Sequence, residues 1–547
     1  MTTTQTAVAP PESSRRWRSV LLAAVAACAA CGIIYELALL TLSTSLNGGG
    51  IVATSLIVAG YIAALGLGAL LAKPLLRRAA ITFIAVEVLL GIVGGLSAAA
   101  LYVAFAFVDE PGGSTLLLGL GTALIGCLVG AEVPLLMTLL QRGRVARAPD
   151  SGRMLANLNA ADYLGALAGG LLWPFALLPQ LGMVRAAAAT GVVNLAAAGI
   201  VAVFLLRRIV SARQLHAALA SLTVALALLI TLLVRAQDIE TTSRQRLYDD
   251  PIIAYRHSAY QEIVITRRDE DLRLYLDGGL QFSTRDEYRY TESLVYPALG
   301  DGAAGGGVTR DGAAGDGATG AGAAGRRARS VLVLGGGDGL AARELLRQPG
   351  VQRIVQVELD PEVIELAGTT MRAANGGALE NPRVQVVIED AMRWLRGAHG
   401  GEPFDAVIVD LPDPDTPALG RLYSSEFYAL VGRVLAPGGL MAVQAGSPFS
   451  TRTAFWRTVS TVADAGFAVT PYHVYVPTFG DWGFVLARRG TTPPVPALPG
   501  DAPPLRFLDQ QVLDAATVFP DDVRQRRLPP STLDHPRVVD DMRRGYD

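Results

Sequence analysis

Seven apolar runs crowd the first 235 of the 547 positions, and they limit the fold more than any other feature of the chain. They lie at about 19–41, 51–72, 79–107, 115–140, 156–178, 183–206 and 215–234. Each is close to the roughly 20 residues that a helix needs to cross a bilayer. The third is long enough to tilt or to include an interfacial piece. Composition agrees: 51% of residues are hydrophobic and mean hydropathy is +0.36, too apolar for an ordinary soluble protein. The expectation for residues 19–235 is a multi-pass α-helical membrane domain of about seven helices, with the lipid bilayer as partner.

Residues 1–18 read as a disordered, polar tail. Arg15, Arg16 and Arg18 precede the first run as in a signal peptide, but that run continues past a short apolar core and more follow. Cys28, Cys31 and Cys127 all fall in apolar stretches and read as buried thiols, despite the CxxC spacing of the first two. Basic residues precede the first run and recur at Lys73, Arg77 and Arg78, at Arg142, Arg144, Arg147 and Arg153, and at Arg207, Arg208 and Arg213. This alternation puts the N-terminus inside, so a seventh span would carry residues 236–547 outward. The chemistry read below expects a cytoplasmic catalytic domain on a cell-membrane protein, and the two expectations conflict.

Acids and amides recur within the runs: Glu36, Glu87, Glu132, Asp162 and Asn194. Acids in a bilayer are costly and suggest function. They also serve at interfaces or as glue between helices. Glu36 and Glu132 fit both readings equally, and the others fit the structural one better. The functional reading is an acid-lined cavity for a cation.

The rest of the chain is soluble in character. Residues 240–298 alternate like strands, and LRLYLDGGLQF carries a hairpin turn, which predicts a small β-hairpin domain. Residues 301–328 form a Gly/Ala-rich flexible insert. From 329 to 490 strands and helices alternate: VLVL, IVQVEL, VQVVI and FDAVIVD precede helices at 339–347, 361–373, 390–396 and 424–435, and LMAVQ follows. That is the pattern of a doubly wound, Rossmann-like α/β domain. Residues 491–547 read as a Pro-rich, then helical, tail. The formal net charge of −2 gives no footprint for nucleic acid.

Ligands of such sheets bind beyond the carboxyl ends of the strands. Four acids fall there: Asp338 in the GGGDG turn, Glu358 in VELD, Asp390 in VVIEDA and Asp410 in VIVDLPDPD, with Asp413 and Asp415 behind it. An acid after a strand often caps the next helix, and for Asp390 alone capping is as good a reading as ligand binding. Glu358 stands about 20 residues past the glycine turn, the usual spacing for an acid on ribose hydroxyls. Four such acids in succession are hard to explain as caps. Asp338 would repel the pyrophosphate of a dinucleotide, and Asp338 with Asp410 would repel the carboxylate of S-adenosylmethionine. Decarboxylated S-adenosylmethionine carries a sulfonium and an ammonium, which suit acids.

YQ at 260–261, LDGGLQFSTRDEYRYTE at 276–292, GGGDG, VELD, EDA, DLPDPDTP and LYSSEFY together resemble the spermidine synthases, the polyamine aminopropyltransferases. The resemblance covers about 245–490, and the apolar half resembles the long membrane-bound bacterial form. It implies transfer of aminopropyl from decarboxylated S-adenosylmethionine to putrescine or another diamine, with no prosthetic group and no metal. Asp410 would accept the amine proton. Asp413 and Tyr260 would hold the amine and Asp338 the donor ammonium. The glycine turn, Gly335 and Gly337, would carry the nucleoside with Glu358 on the ribose, Asp390 and Ala391 on the adenine, and Gln261 and Pro417 beside it. Soluble relatives imply a homo-oligomer. Two departures fall on the amine side: Thr291 replaces the family's histidine, and Phe479 a tyrosine. A methyltransferase, and a membrane transporter or sensor with a ligand-binding domain, are the alternatives.

Overall fold

The computed structural model describes residues 12–47, 51–107, 113–142, 151–204, 210–300, 328–398 and 401–546. The chain divides into two compact units, Met1–Asp249 and Asp250–Asp547. The Gly/Ala-rich insert, but for its last residue, lies outside the described residues.

Long helices make up the first unit: α1 (Glu12–Asn47), α2 (Ile51–Ala72), α3 (Ala79–Phe107), α4 (Gly113–Arg142), α5 (Ser151–Leu172), α6 (Leu178–Phe204) and α7 (Ala212–Arg246). Helix α1 starts inside the segment expected to be disordered. The 3₁₀ stretch Lys73–Arg78 joins α2 to α3, and the π-helical stretch Trp173–Leu177 joins α5 to α6. Among the described residues, five stretches are long and apolar enough to cross a membrane, including Thr54–Ala104 with 51 residues and Leu155–Phe204 with 50. A helix of that length measures roughly 75 Å, more than twice a bilayer core of about 30 Å. Each of the two therefore holds enough chain for two crossings. The breaks lie at Pro74, with two arginines behind it, between the second and third expected runs; at Pro174, inside the fifth expected run; and at Gly182, between the fifth and sixth.

Glycine sets how closely α2 and α4 approach. A Cβ on Gly68 would lie 2.0 Å from the Cys127 carbonyl oxygen, and one on Gly130 would lie 2.1 Å from that of Leu65. The backbones touch, as in small-residue packing of apolar helices. Tyr35, Leu39, Phe83, Ile125 and Leu229 fill the interior of the unit.

The second unit opens with four antiparallel strands in sequential order: β1 (Ile252–His257), β2 (Glu262–Arg268), β3 (Asp271–Leu276) and β4 (Gly279–Ser283). Asp277 and Gly278 link the last two with φ of 48° and 81°. This is the two-residue primed turn that an Asp-Gly pair favours. Helix α8 (Glu287–Leu299) follows.

A seven-stranded sheet forms the body: β5 (Ser330–Gly335), β6 (Arg353–Glu358), β7 (Val384–Ile388), β8 (Phe404–Asp410), β9 (Leu435–Gln444), β10 (Phe467–Val476) and β11 (Gly480–Arg489). Its order is β10-β11-β9-β8-β5-β6-β7. The five strands from β9 to β7 run parallel, and β10 and β11 close one edge as an antiparallel hairpin. Side chains alternate between two cores. Leu332 and Leu334 of β5 enter one, and Val331 and Val333 the other. Helix α9 (Leu340–Arg347) follows β5 and α10 (Pro361–Gly368) follows β6. Ile263, Ile265, Leu274 and Phe282 of the small sheet share a core with Leu340, Val363 and Leu366 of these helices.

Chain beyond residue 491 packs into the same unit. The Glu292 carboxylate accepts the N–H groups of Arg506, Phe507 and Leu508 at 2.8–3.0 Å. Val538, Val539 and Met542 are buried in the core, and Asp541 pairs with Arg457. The stretch read as a tail is thus structural.

Gly130→Ala should destabilise the full-length protein in detergent by about 1–3 kcal/mol, the usual cost of overpacking. Gly119→Ala adds a Cβ with nothing within 4 Å and should leave the thermal midpoint in place. Equal midpoints for the two variants would contradict the close approach.

Candidate active site

The crevice forms where the strand order reverses, between β5 and β8. Gly335 and Gly336 leave β5 with φ of 83° and 60°. The Gly336 N–H donates to the Asp410 carbonyl at 2.8 Å. A Cβ on Gly335 would lie 2.0 Å from that carbonyl oxygen, and one on Gly337 would lie 2.7 Å from Glu358 Oε2. Only glycine lets this turn seat itself between the ends of β8 and β6. Asp338 then accepts the Leu340 N–H at 2.8 Å, opening α9, and Asn375 donates to its carbonyl at 2.7 Å.

Asp338, Glu358 and Asp410 keep some accessible surface but are enclosed by protein on their other sides. Burial holds all three above the ordinary carboxylate range: Asp338 and Glu358 at about 7, and Asp410 at about 6. Asp338 is raised further by the charges of Asp410, Glu287 and Glu358. Asp410 is lowered in part by a hydrogen bond from Tyr290, whose hydroxyl lies 2.6 Å from Asp410 Oδ1. The result is a half-buried site, poor in compensating charge, suited to a cation.

Aromatic rings wall one side. Tyr290 on α8 packs edge-on to Phe479 at 6.0 Å and near Trp482 and Phe484. Trp482 Nε1 is buried with no hydrogen-bond partner. The loop after β8 is braced from β9. Gln444 Nε2 lies 2.5 Å from the Leu411 carbonyl, 2.6 Å from the Tyr423 hydroxyl and 3.3 Å from Asp413 Oδ1. The Tyr423 hydroxyl lies about as close to the Leu411 and Pro412 carbonyls, at 3.0 and 3.1 Å. Tyr290, Tyr423, Gln444 and Trp482 were not singled out from the sequence. Tyr290 and Tyr423 lie within motifs that carry the resemblance, and Gln444 carried a signal as a polar residue ending an apolar strand.

On the β6 side, Glu358 Oε1 accepts the Asp360 N–H at 3.0 Å. Asp360 is fully buried, caps α10, and accepts from Ser258 at 2.6 Å and from Gln261 at 3.0 Å. Gln261 is thereby anchored two residues from Glu358. Tyr260 beside it is exposed.

The remaining candidates divide. Asp390 caps the helix Ala391–Gly397 through the Arg393 N–H at 2.9 Å, and its other oxygen pairs with Arg421 at 2.5 Å. Capping, one of its two readings, is realised, and Ala391 behind it is buried. Pro417 is exposed as the first residue of a short helix capped by Thr416. Thr291 does not join the cluster. It is buried, with its hydroxyl 2.9 Å from the Glu287 carbonyl and 3.2 Å from the Glu287 carboxylate. Being one residue past Tyr290 on a helix turns it away from Asp410. Among the described residues no group of three His, Cys, Asp or Glu side chains is arranged to hold a metal.

Comparison with known proteins gives a consistent set of likenesses. A family model described as a spermine/spermidine synthase domain matches residues 319–496. A polyamine aminopropyltransferase of Mycobacterium tuberculosis (strain H37Rv) is 72% identical over 548 residues, covering 100% of both chains. One from Corynebacterium efficiens is 57% identical over 98% of both. Polyamine aminopropyltransferase 1 of Streptomyces coelicolor is 45% identical, over 96% of this chain and 94% of its own. A crystal structure of a Thermotoga maritima spermidine synthase, 23% identical, covers 50% of this chain and 86% of that one with a TM-score of 0.42.

The raised acids set a pH dependence. An acid held above its ordinary value favours its neutral form in the fold, so its contribution to stability is intact in acid and lost as pH rises through 6–7. Asp338→Asn keeps the acceptor for Leu340 and removes the charge. The variant should be more stable than the wild type at pH 8, by a margin that closes below about pH 4. Denaturant unfolding across that range checks this, and a margin independent of pH would contradict it.

Proposed function

The chain belongs to the polyamine aminopropyltransferase family, and on that premise we propose that its C-terminal unit transfers aminopropyl from decarboxylated S-adenosylmethionine to putrescine. The family uses that nucleoside as co-substrate and has no prosthetic group. The observation that carries the reading is the hydrogen-bonded pair Tyr290–Asp410 in a crevice whose charges are carboxylates.

Asp338 and Asp410 favour a donor that has lost its carboxylate and kept its ammonium. Glu358 takes the ribose hydroxyls, steadied by the Asp360 N–H. Asp413 holds the amine, on a loop braced by Gln444 and Tyr423. Tyr290, Phe479 and Trp482 line the apolar stretch of the diamine. Asp410, titrating near 6, is ionised at neutral pH and takes a proton from the attacking ammonium. The freed nitrogen lone pair forms the new C–N bond at the propyl carbon as the C–S bond breaks. The electron pair goes to sulfur, and 5′-methylthioadenosine and spermidine leave. For Asp390 to meet the adenine, one of its two present contacts, the pair with Arg421, must open.

We further propose that the N-terminal unit spans the bilayer. Its surface supports this: Leu56, Leu67, Leu164, Phe175, Val224 and Val234 are all more than half exposed, while Glu87, Glu132 and Asn194 are buried. Polar groups inside and large apolar groups outside invert the order of a water-soluble protein.

Product analysis of the full-length protein tests the reaction. Decarboxylated S-adenosylmethionine with putrescine should yield methylthioadenosine and spermidine, and Asp410→Asn should lower turnover by about 10²–10⁴-fold. Methyl transfer from ordinary S-adenosylmethionine, or full activity of Asp410→Asn, would overturn the reading. Tyr290→Phe removes the donor that lowers the Asp410 value. The acid limb of kcat/KM, expected near pH 6, should move to higher pH in that variant. An unmoved limb would mean that Asp410 is not the titrating base.

A further inference from the structure

Four helices of the N-terminal unit turn polar groups toward one another in its interior. They are Tyr35 of α1, Glu87 of α3, Glu132 of α4 and Asn194 of α6, with 0%, 0%, 4% and 0% of their surface exposed. Both oxygens of Glu87, Oε1 of Glu132, Oδ1 of Asn194 and the Tyr35 hydroxyl lack a hydrogen-bond partner. The groups are neighbours. Glu132 interacts electrostatically with Glu87, and the Tyr35 hydroxyl interacts with both. Asn194 and Cys28 approach the Glu87 carboxylate, but Asn194 Nδ2 is directed to the Glu87 main-chain carbonyl at 3.3 Å.

Buried polar groups without partners are costly and rare, and each asks for an explanation. Here the unpartnered atoms are all acceptors, the tyrosine hydroxyl being able to donate as well. What they lack is a donor with positive charge. A metal ion is a poor match, since the described residues form no group of three His, Cys, Asp or Glu side chains arranged for one. A primary ammonium, with one positive charge and three N–H donors, complements two carboxylates, an amide oxygen and a phenol.

Further carboxyl groups lie around the pair. Glu132 interacts with Asp162, and the Tyr61 hydroxyl interacts with Glu132, Asp162 and Glu36. Asp162 and Glu36 are half-buried. Half-buried Asp162 thus neighbours the buried pair, and half-buried Glu36 neighbours Tyr61 beside it. The sequence alone favoured a structural role for Glu87 and Asn194. Their complete burial, with Glu87 unpaired, assigns them to the centre of the cluster.

We propose that the helical unit holds a second amine site, distinct from the transferase crevice, in which Glu87 and Glu132 take the primary ammonium end of a polyamine. The need for hydrogen-bond donors on the ligand follows from the helical unit itself. The choice of a polyamine rests on the reaction proposed for the other unit.

The test is equilibrium dialysis of radiolabelled spermidine against the full-length protein in phosphatidylcholine nanodiscs, with turnover measured on the same preparation. The wild type should bind two spermidines per chain. Glu87→Gln with Glu132→Gln should remove one of them, or weaken it more than about tenfold, and leave kcat unchanged. Tyr35→Phe, which keeps the ring packed on Gly94, should weaken the same site severalfold. One spermidine per wild-type chain that the double variant retains at wild-type affinity would overturn the proposal, as would two in the double variant at wild-type affinity. If the double variant does not fold, unchanged affinity in Tyr35→Phe would overturn it. Absence of turnover in the wild type would count against the transferase reading alone, because the stoichiometry is read separately.

Discussion

The hydrogen bond from the Gly336 amide to the Asp410 carbonyl fixes the chemistry of the C-terminal unit. It joins the turn after β5 to the end of β8 at the point where the strand order reverses. Once the turn lies there, Asp338 cannot avoid the field of Asp410, and Gly337 sits against Glu358. Three carboxylates come together because the backbone brings three strand ends together. The fold bears the cost, since like charges half-withdrawn from water disfavour the ionised state. A cationic ligand relieves that cost, so the repulsion among the acids becomes affinity for a sulfonium and an ammonium. The same arrangement works against a ligand carrying a carboxylate or a pyrophosphate.

Supports for this arrangement come from far along the chain. Tyr290 reaches Asp410 from α8, Gln444 braces the following loop from β9, and Asp360 ties the small sheet to the end of β6 through Ser258 and Gln261. Positions of catalytic groups are held this way when each has its own hydrogen-bonded backing.

Much of this was legible in the sequence, for definite reasons. Four of the five parallel strands showed as short apolar runs with an acid at or just past the end, and the helices after them start within a residue or two of where they were expected. The Asp277-Gly278 turn showed because few other residue pairs adopt positive φ together. The edge hairpin of β10 and β11 did not show, since YHVYVPTFGDWGFVLA mixes polar and aromatic residues without a clean alternation. Residues from 491 on read as a tail because proline and charge dominate there. Their packing depends on partners such as Glu292 and Arg457, more than 80 residues earlier for each. Among the candidates, Asp338, Glu358 and Asp410 came together as their strand-end positions required. Thr291 fell outside because a helix, unlike a strand end, aims consecutive residues about 100° apart. The burial of Glu87 against Glu132 was hidden for a similar reason: it is set by which helices adjoin, and apolar periodicity says little about that when every face is apolar.

The central claim is that the crevice selects a donor by the absence of a carboxylate. It is tested most directly by calorimetric binding of decarboxylated S-adenosylmethionine and of ordinary S-adenosylmethionine to the full-length protein at neutral pH. The decarboxylated form should bind at least about tenfold more tightly, equivalent to ~1.4 kcal/mol, and Asp338→Asn should narrow the gap. Equal affinity, or tighter binding of the carboxylated form, would contradict the account.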